Sequence, residues 1–177
     1  TGDTLNTKGY DVTTTGAFAC NGTCALNLTD TAPSNEGDGT ILDVAGDFTM
    51  STTGTLTAAT GKVFLNATSG NKTFFSGGKT YNDVELKNTD GTNDDITIAN
   101  SPLDVNGVLT LTDGQVRLDT NDPNVTTAGN ISIASAATVT KADNGTSTWT
   151  FDGSGTNTWT DGTGSGGQDL GLVHIDG

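Results

Sequence analysis

One long stretch of this sequence is written twice. "TGTLTA" from Thr53 returns as "AATVTK" from Ala136, "SGNKTFFSG" from Ser69 as "SGTNTWTDG" from Ser154, and "DVELKNTDG" from Asp83 as the closing "DLGLVHIDG" from Asp169. The offsets are 83, 85 and 86 residues, with small insertions absorbed in glycine-rich turns. Self-similarity at a fixed spacing limits the fold more than any single motif, because like units bury their apolar faces by stacking on one another. Shorter echoes run through the rest: "GYDVTTTGAF" from Gly9 returns as "DPNVTTAGNI" from Asp122, and "LDVAGDFTM" from Leu42 as "LDVNGVLTL" from Leu103. Residues 1–177 therefore read as one domain or segment of about two copies of a unit of roughly 85 residues, both ends falling inside a copy.

Within the unit the pattern has period 2. "TGTLTA", "KVFLNA", "KTFFSG", "GVLTLTDGQVRLDT", "GNISIAS" and "STWTFDG" place an apolar residue at every second position, with Thr, Ser, Asn or Asp between. That is a strand with one buried face. No segment holds a helical period, and the 25 glycines and abundant Thr, Asn and Asp disfavour one. The expected class is all-β, as a parallel β-helix (β-solenoid), with a β-sandwich as the alternative. Gly16, Gly46, Gly77 and Gly107 lie 30, 31 and 30 residues apart, and Gly129 follows after 22, which predicts a coil of about 30 residues.

Charge narrows the partners. A net charge of -14 with only seven Lys plus Arg leaves no basic footprint for nucleic acid or an anionic membrane face. No apolar run reaches spanning length and no charged-then-apolar leader opens the chain, which reads as mature or excised material. Cys20 and Cys24 in "CNGTC" are expected either as a small disulfide loop, which belongs to an oxidising, extracytoplasmic setting, or as two free thiols. With His174 the sole histidine, a structural zinc site lacks ligands.

The units "GVLTLTDGQVRLDT…VTTAGNISI", "STWTFDGSGTNTW" and "DLGLVHIDG" resemble the long β-strand repeats of bacterial surface proteins, similar to filamentous-haemagglutinin and autotransporter-type adhesin passengers. The resemblance covers nearly the whole chain and is carried by Thr, Gly and alternation. It implies a secreted, cell-surface β-helix used for adhesion, cell contact or fibre building, and it carries over no catalytic residue.

Several constellations remain to be weighed. "GTGSGG" from Gly162 spells a dinucleotide motif, but a strand follows it where a helix is required, so it reads as a turn. Trp149, Phe151 and Trp159 are either a sugar-stacking face, with Trp149 and Trp159 as the glycan-binding candidates, or a core column, since Trp149 matches Phe64 and Trp159 matches Phe74 in the other copy. Thr55 with Thr57, Thr110 with Thr112, and Thr138 with Thr140 suggest an ice-binding ladder or an ordinary solvated surface. Asp90, Asp94 and Asp95, and Asp119 with Asp122, are candidate Ca²⁺ ligands or turn formers. Seven N-x-S/T sequons, at Asn21, Asn27, Asn66, Asn71, Asn124, Asn130 and Asn144, are candidate glycan acceptors. No GxSxG elbow or convergent acid, base and nucleophile set is present, and Arg117 is the only arginine beside Asp113 and Asp119. The expectation is a noncatalytic protein, a polysaccharide-active β-helix being the enzyme alternative.

The closing strand carries the functional expectation. If "DLGLVHIDG" is an interior strand of the unit, then Leu170, Leu172, Val173 and Ile175 face a further coil, either of a longer parent chain or of an identical subunit stacked end to end. The chain then belongs to an extracellular fibre, filament or adhesin, with surface glycans as the other candidate partner.

Overall fold

A computed structural model of the chain describes residues 2–29, 39–141, 146–164 and 168–176. Among these residues there are twenty strands and no helix, so no helix is long and apolar enough to cross a membrane. Every ladder is parallel, which excludes the sandwich alternative with its antiparallel sheets. The molecule is a parallel β-solenoid of about six turns.

Each turn contributes strands to three faces. Coil 1 is β1 (Thr4–Asn6), β2 (Val12–Thr14) and β3 (Phe18–Cys20); coil 2 is β4 (Ala25–Asn27), β5 (Ile41–Val44) and β6 (Phe48–Met50). Coil 3 is β7 (Thr55–Thr57), β8 (Lys62–Ala67) and β9 (Lys72–Phe75); coil 4 is β10 (Thr80–Tyr81), β11 (Asp83–Asn88) and β12 (Asp95–Ile98). Coil 5 is β13 (Leu103–Val105) and the long β14 (Leu109–Arg117), which serves two faces by turning at Gly114. Coil 6 is β15 (Val125–Thr127), β16 (Ile131–Ile133) and β17 (Ala137–Thr140), followed by β18 (Thr148–Phe151), β19 (Trp159–Asp161) and β20 (Leu172–Ile175). Face I holds β1, β4 and β7 in one ladder and β10, β13, β15, β18 and β20 in another. Face II runs from β2 through β5, β8, β11, the first half of β14 and β16 to β19, and face III from β3 through β6, β9 and β12 to the second half of β14 and β17.

Stacking converts alternation into columns. On face II, Val12 lies beside Leu42, then Val63, Val84, Leu109, Ile131 and Trp159 in successive coils. These columns and their counterparts on the other faces form one continuous core. At the corners, strand-entry Asp and Asn side chains accept backbone N–H groups from the coil above. Asp11 takes that of Ile41 at 2.8 Å, Asp47 that of Thr73 at 2.8 Å, Asn71 that of Asp95 at 3.3 Å, Asn124 that of Thr148 at 3.0 Å and Asn130 that of Thr158 at 2.8 Å. A corner amide that leaves the strand ladder has no main-chain partner in it, and these side chains tie it to the neighbouring coil instead.

The expected 30-residue coil needs correction. Steps along the face II column are 30, 21, 21, 25, 22 and 28 residues. The evenly spaced glycines belong to three different corners: Gly16 and Gly46 stack between faces II and III, Gly77 lies between III and I, and Gly107 and Gly129 between I and II. The two long copies also differ in placement. β7, β8, β9 and β11 correspond to β17, β18, β19 and β20, which lie respectively on faces III, I, II and I, each rotated by one face from its match.

Candidate functional site

The inward columns of face I show where the core ends. One reads Leu103, Val125, Trp149, Val173 and the other Tyr81, Val105, Thr127, Phe151, Ile175. The first three members of each are buried; Val173 is 51% and Ile175 79% exposed. They occupy inward positions and still meet solvent, because no strand among the described residues covers them. Among the described residues β20 pairs with β18 alone, and β19 with β16 alone, so each leaves one edge open.

Between these two edges lies a cavity of about 450 Å³, walled by Phe151, Trp159, Leu170, Val173 and Ile175, with Asn157 and Asp176 on its rim. Phe151 and Trp159 meet edge to face at 5.7 Å between ring centroids, and Trp149 meets Trp159 at 5.8 Å. Asp161 ends the second face II column, beside Ile133 where every earlier member except Thr14 is apolar. Its carboxylate accepts the N–H of Thr163 at 2.9 Å and the Thr163 hydroxyl at 2.6 Å, and these bonds hold it below the usual carboxylate range.

The sequence-derived assembly residues divide. Val173 and Ile175 point to the open interior, Leu170 is partly buried against the core, and Leu172, in register with Thr148, is 60% exposed on the other side of the strand. The match to "DVELKNTDG" would turn Leu170 and Leu172 inward together; Gly171 at φ 68° breaks the strand and reverses that parity. Of the two glycan-binding candidates, Trp149 is only 2% exposed and offers no sugar platform, whereas Trp159 lines the cavity. Phe64, matched to Trp149 in the sequence, lies between inward Val63 and Leu65 and belongs to the outer surface. Those two rings therefore share no column.

The other candidates are dispersed or already engaged. Cys20 and Cys24 sit at disulfide distance, with Cα atoms 5.5 Å apart, at the corner between β3 and β4. Asp90 accepts the amide of Gly70, Asp95 pairs with Arg117 at 3.0 Å, and Arg117 also binds Asp119. Among the described residues no three His, Cys, Asp or Glu side chains are grouped to hold a metal ion. Asp122 binds Lys141, whose side chain is 1% exposed. The three Thr pairs fall on β7, β14 and β17, hence on three faces, and form no common array. Among the sequons, Asn71, Asn124 and Asn130 are corner acceptors, followed by an inward and then an outward residue. Asn-x-Thr/Ser is thus what a strand entry of this solenoid spells. Asn27 caps Thr29, Asn66 donates to Asp43, Asn21 lies in the disulfide loop, and Asn144 lies outside the described residues.

Two features escaped the sequence reading. The inter-coil role of Asp11, Asp47 and Asp83 was signalled only by an acidic residue at each strand entry, and the burial of Lys141 by its place directly after β17. No protein-family model, curated protein or solved structure matches this chain.

Proposed function

We propose that this chain is a noncatalytic structural segment of an extracellular surface fibre, filament or adhesin, built to be continued by further coils. The observation that carries this reading is the pair of face I columns, buried through successive coils and then surfacing at Val173 and Ile175. Polar side chains elsewhere are engaged in joining coil to coil: Lys62 with Glu85 at 3.3 Å, Arg117 with Asp95, Lys141 with Asp122, and the corner Asp and Asn ladder. Cross-coil pairing of this kind braces a stacked rod, and it supports a load-bearing or display role.

Electron microscopy of native material, with antibody labelling of intact cells, tests this. Labelled rods or filaments at the cell surface are expected; monodisperse particles confined inside the cell would overturn it. A carbohydrate-binding reading draws on the Trp159 and Phe151 rings beside Asn157 and Asp176. Glycan-array binding lost in Trp159→Ala would favour it.

A further inference from the structure

We infer that the cavity bounded by Phe151, Trp159, Val173 and Ile175 is a docking groove for one further parallel β-coil, laid on the free edge of β19, with an aliphatic side chain over Trp159 and a small hydroxyl residue beside Asp161. This rests on the reading of the chain as a stacked segment and names the chemistry of what its open end receives.

Chain order gives the position. In each coil the face I strand is followed by a face II strand that stacks on the face II strand below: β4 leads to β5 on β2, β10 to β11 on β8, and β15 to β16 on β14. β20 is a face I strand, and the face II strand awaiting a partner is β19. The cavity is lined by residues of both strands and of the corner between β18 and β19, Gly153, Gly155 and Asn157.

The internal repeat gives the chemistry. β9 is the first-copy counterpart of β19, with Phe74 matching Trp159 and Ser76 matching Asp161. The local structure agrees, because Ser76 accepts the N–H of Gly78 at 3.1 Å as Asp161 accepts that of Thr163. The first copy retains its next coil: Ile98 of β12 stands on Phe74, which is fully buried, and the Ser101 hydroxyl meets that of Ser76 at 2.6 Å. Transferred to the open end, the same coil closes the cavity with an Ile-like residue and gives Asp161 a hydroxyl donor. β-Augmentation of this kind combines main-chain bonds with alternate side-chain pockets.

The test uses the full chain and a synthetic peptide copying Asn93–Leu111, which contains no tryptophan. The expected result is saturable one-to-one binding, loss of acrylamide quenching at the accessible Trp159, and new amide protection at Trp159–Asp161 by hydrogen exchange. A peptide carrying Ile98→Asp and a protein carrying Val173→Asp with Ile175→Asp should each abolish the effect. The protein variant keeps its fold, since both side chains are already exposed. No change in quenching or protection up to the solubility of the peptide overturns the proposal. So does binding that survives both variants, or protection of Trp159 by neutral oligosaccharides and not by the peptide. Rods at the cell surface without peptide docking would leave the fibre reading intact and sink the groove; docking without rods would do the reverse.

Discussion

Two aromatic groups in this molecule arise from the same alternation and have different fates. Phe18, Phe48 and Phe74 stack along face III with centroids 5.5 and 4.7 Å apart, and Tyr81 closes on them edge-on. Phe48, Phe74 and Tyr81, flanked by coils on both sides, are buried, whereas Phe18 of the first coil is only partly so; Trp149, Phe151 and Trp159 meet at similar separations, but Phe151 and Trp159 remain partly open. The difference is the presence or absence of a covering coil. In a solenoid, burial belongs to the neighbour as much as to the residue, because each coil contacts only the ones beside it.

The comparison is broken most forcefully at its centre. Phe48→Ala removes a fully buried ring sandwiched between two others, and the loss should be about 3–5 kcal/mol by urea unfolding. Trp159→Ala, at the open end, should cost well under half of that. Equal losses at the two sites would mean that the C-terminal ring is covered in solution.

Glycines sharpen the contrast at the corners. A Cβ on Gly129 would lie 1.9 Å from the carbonyl oxygen of Gly107 in the coil below, an overlap between two backbones that no side-chain rotation relieves. Gly129→Ala should therefore destabilise by about 1–3 kcal/mol or unfold the C-terminal coils. Gly155, beside the open cavity, has nothing within 4 Å of its Cβ position. Gly155→Ala should be neutral or stabilise by about 0.4–1 kcal/mol through the unfolded chain. Thermal melts of the pair decide it, and similar shifts would argue against close coil stacking at Gly129.

These sites also show what could be read in advance. Period-2 runs such as "KVFLNA" and "KTFFSG" specified strands and their inward residues, because a half-buried strand must alternate. The repeat specified stacking, whereas "CNGTC" left a disulfide loop and two free thiols both open until the corner between β3 and β4 placed its cysteines at disulfide distance. Coil length was illegible, because glycines occur at corners between all three pairs of faces and their even spacing mixed the three. The rotation of one copy by a face was hidden for a related reason: sequence similarity records strand and turn order, whereas register depends on how many strands complete a turn. Lys141 reads as a surface residue until the coil below places Asp122 beside it.

The N-terminal end offers a smaller test. There Cys20 and Cys24 sit at disulfide distance, and Gly54 of coil 3 packs so closely that a Cβ would lie 3.1 Å from the Cys24 sulfur. Reduction, or Cys20→Ser with Cys24→Ser, should cost about 2 kcal/mol, as expected for so short a loop. The loss should appear as faster hydrogen exchange in β1–β4, with β18–β20 unchanged. Loosening of both ends together would show that the coils respond as one cooperative body.

The smallest effect concerns acid. Asp122 accepts bonds from Lys141, from the Ser147 hydroxyl at 2.7 Å and from the amides of Thr146 and Ser147, and the lysine foremost holds its carboxyl well below the usual range. A depressed folded-state value means that the unfolded chain binds the proton more readily. The pair's stabilisation is therefore complete above the ordinary carboxylate value of about 4 and is lost as pH falls below it towards Asp122's own lower value. Because the carboxylate also meets solvent, the slope is shallow and salt-sensitive. Asp122→Asn leaves Lys141 without its charge partner at every pH, so the level of stability drops as well; the informative quantity is the difference in slope. Urea midpoints measured from neutral pH into acid should fall more steeply for the native chain than for the variant. Parallel curves would place the acid sensitivity elsewhere, with Asp119 beside Arg117 and Asp161 at the open end as the other depressed carboxylates among the described residues.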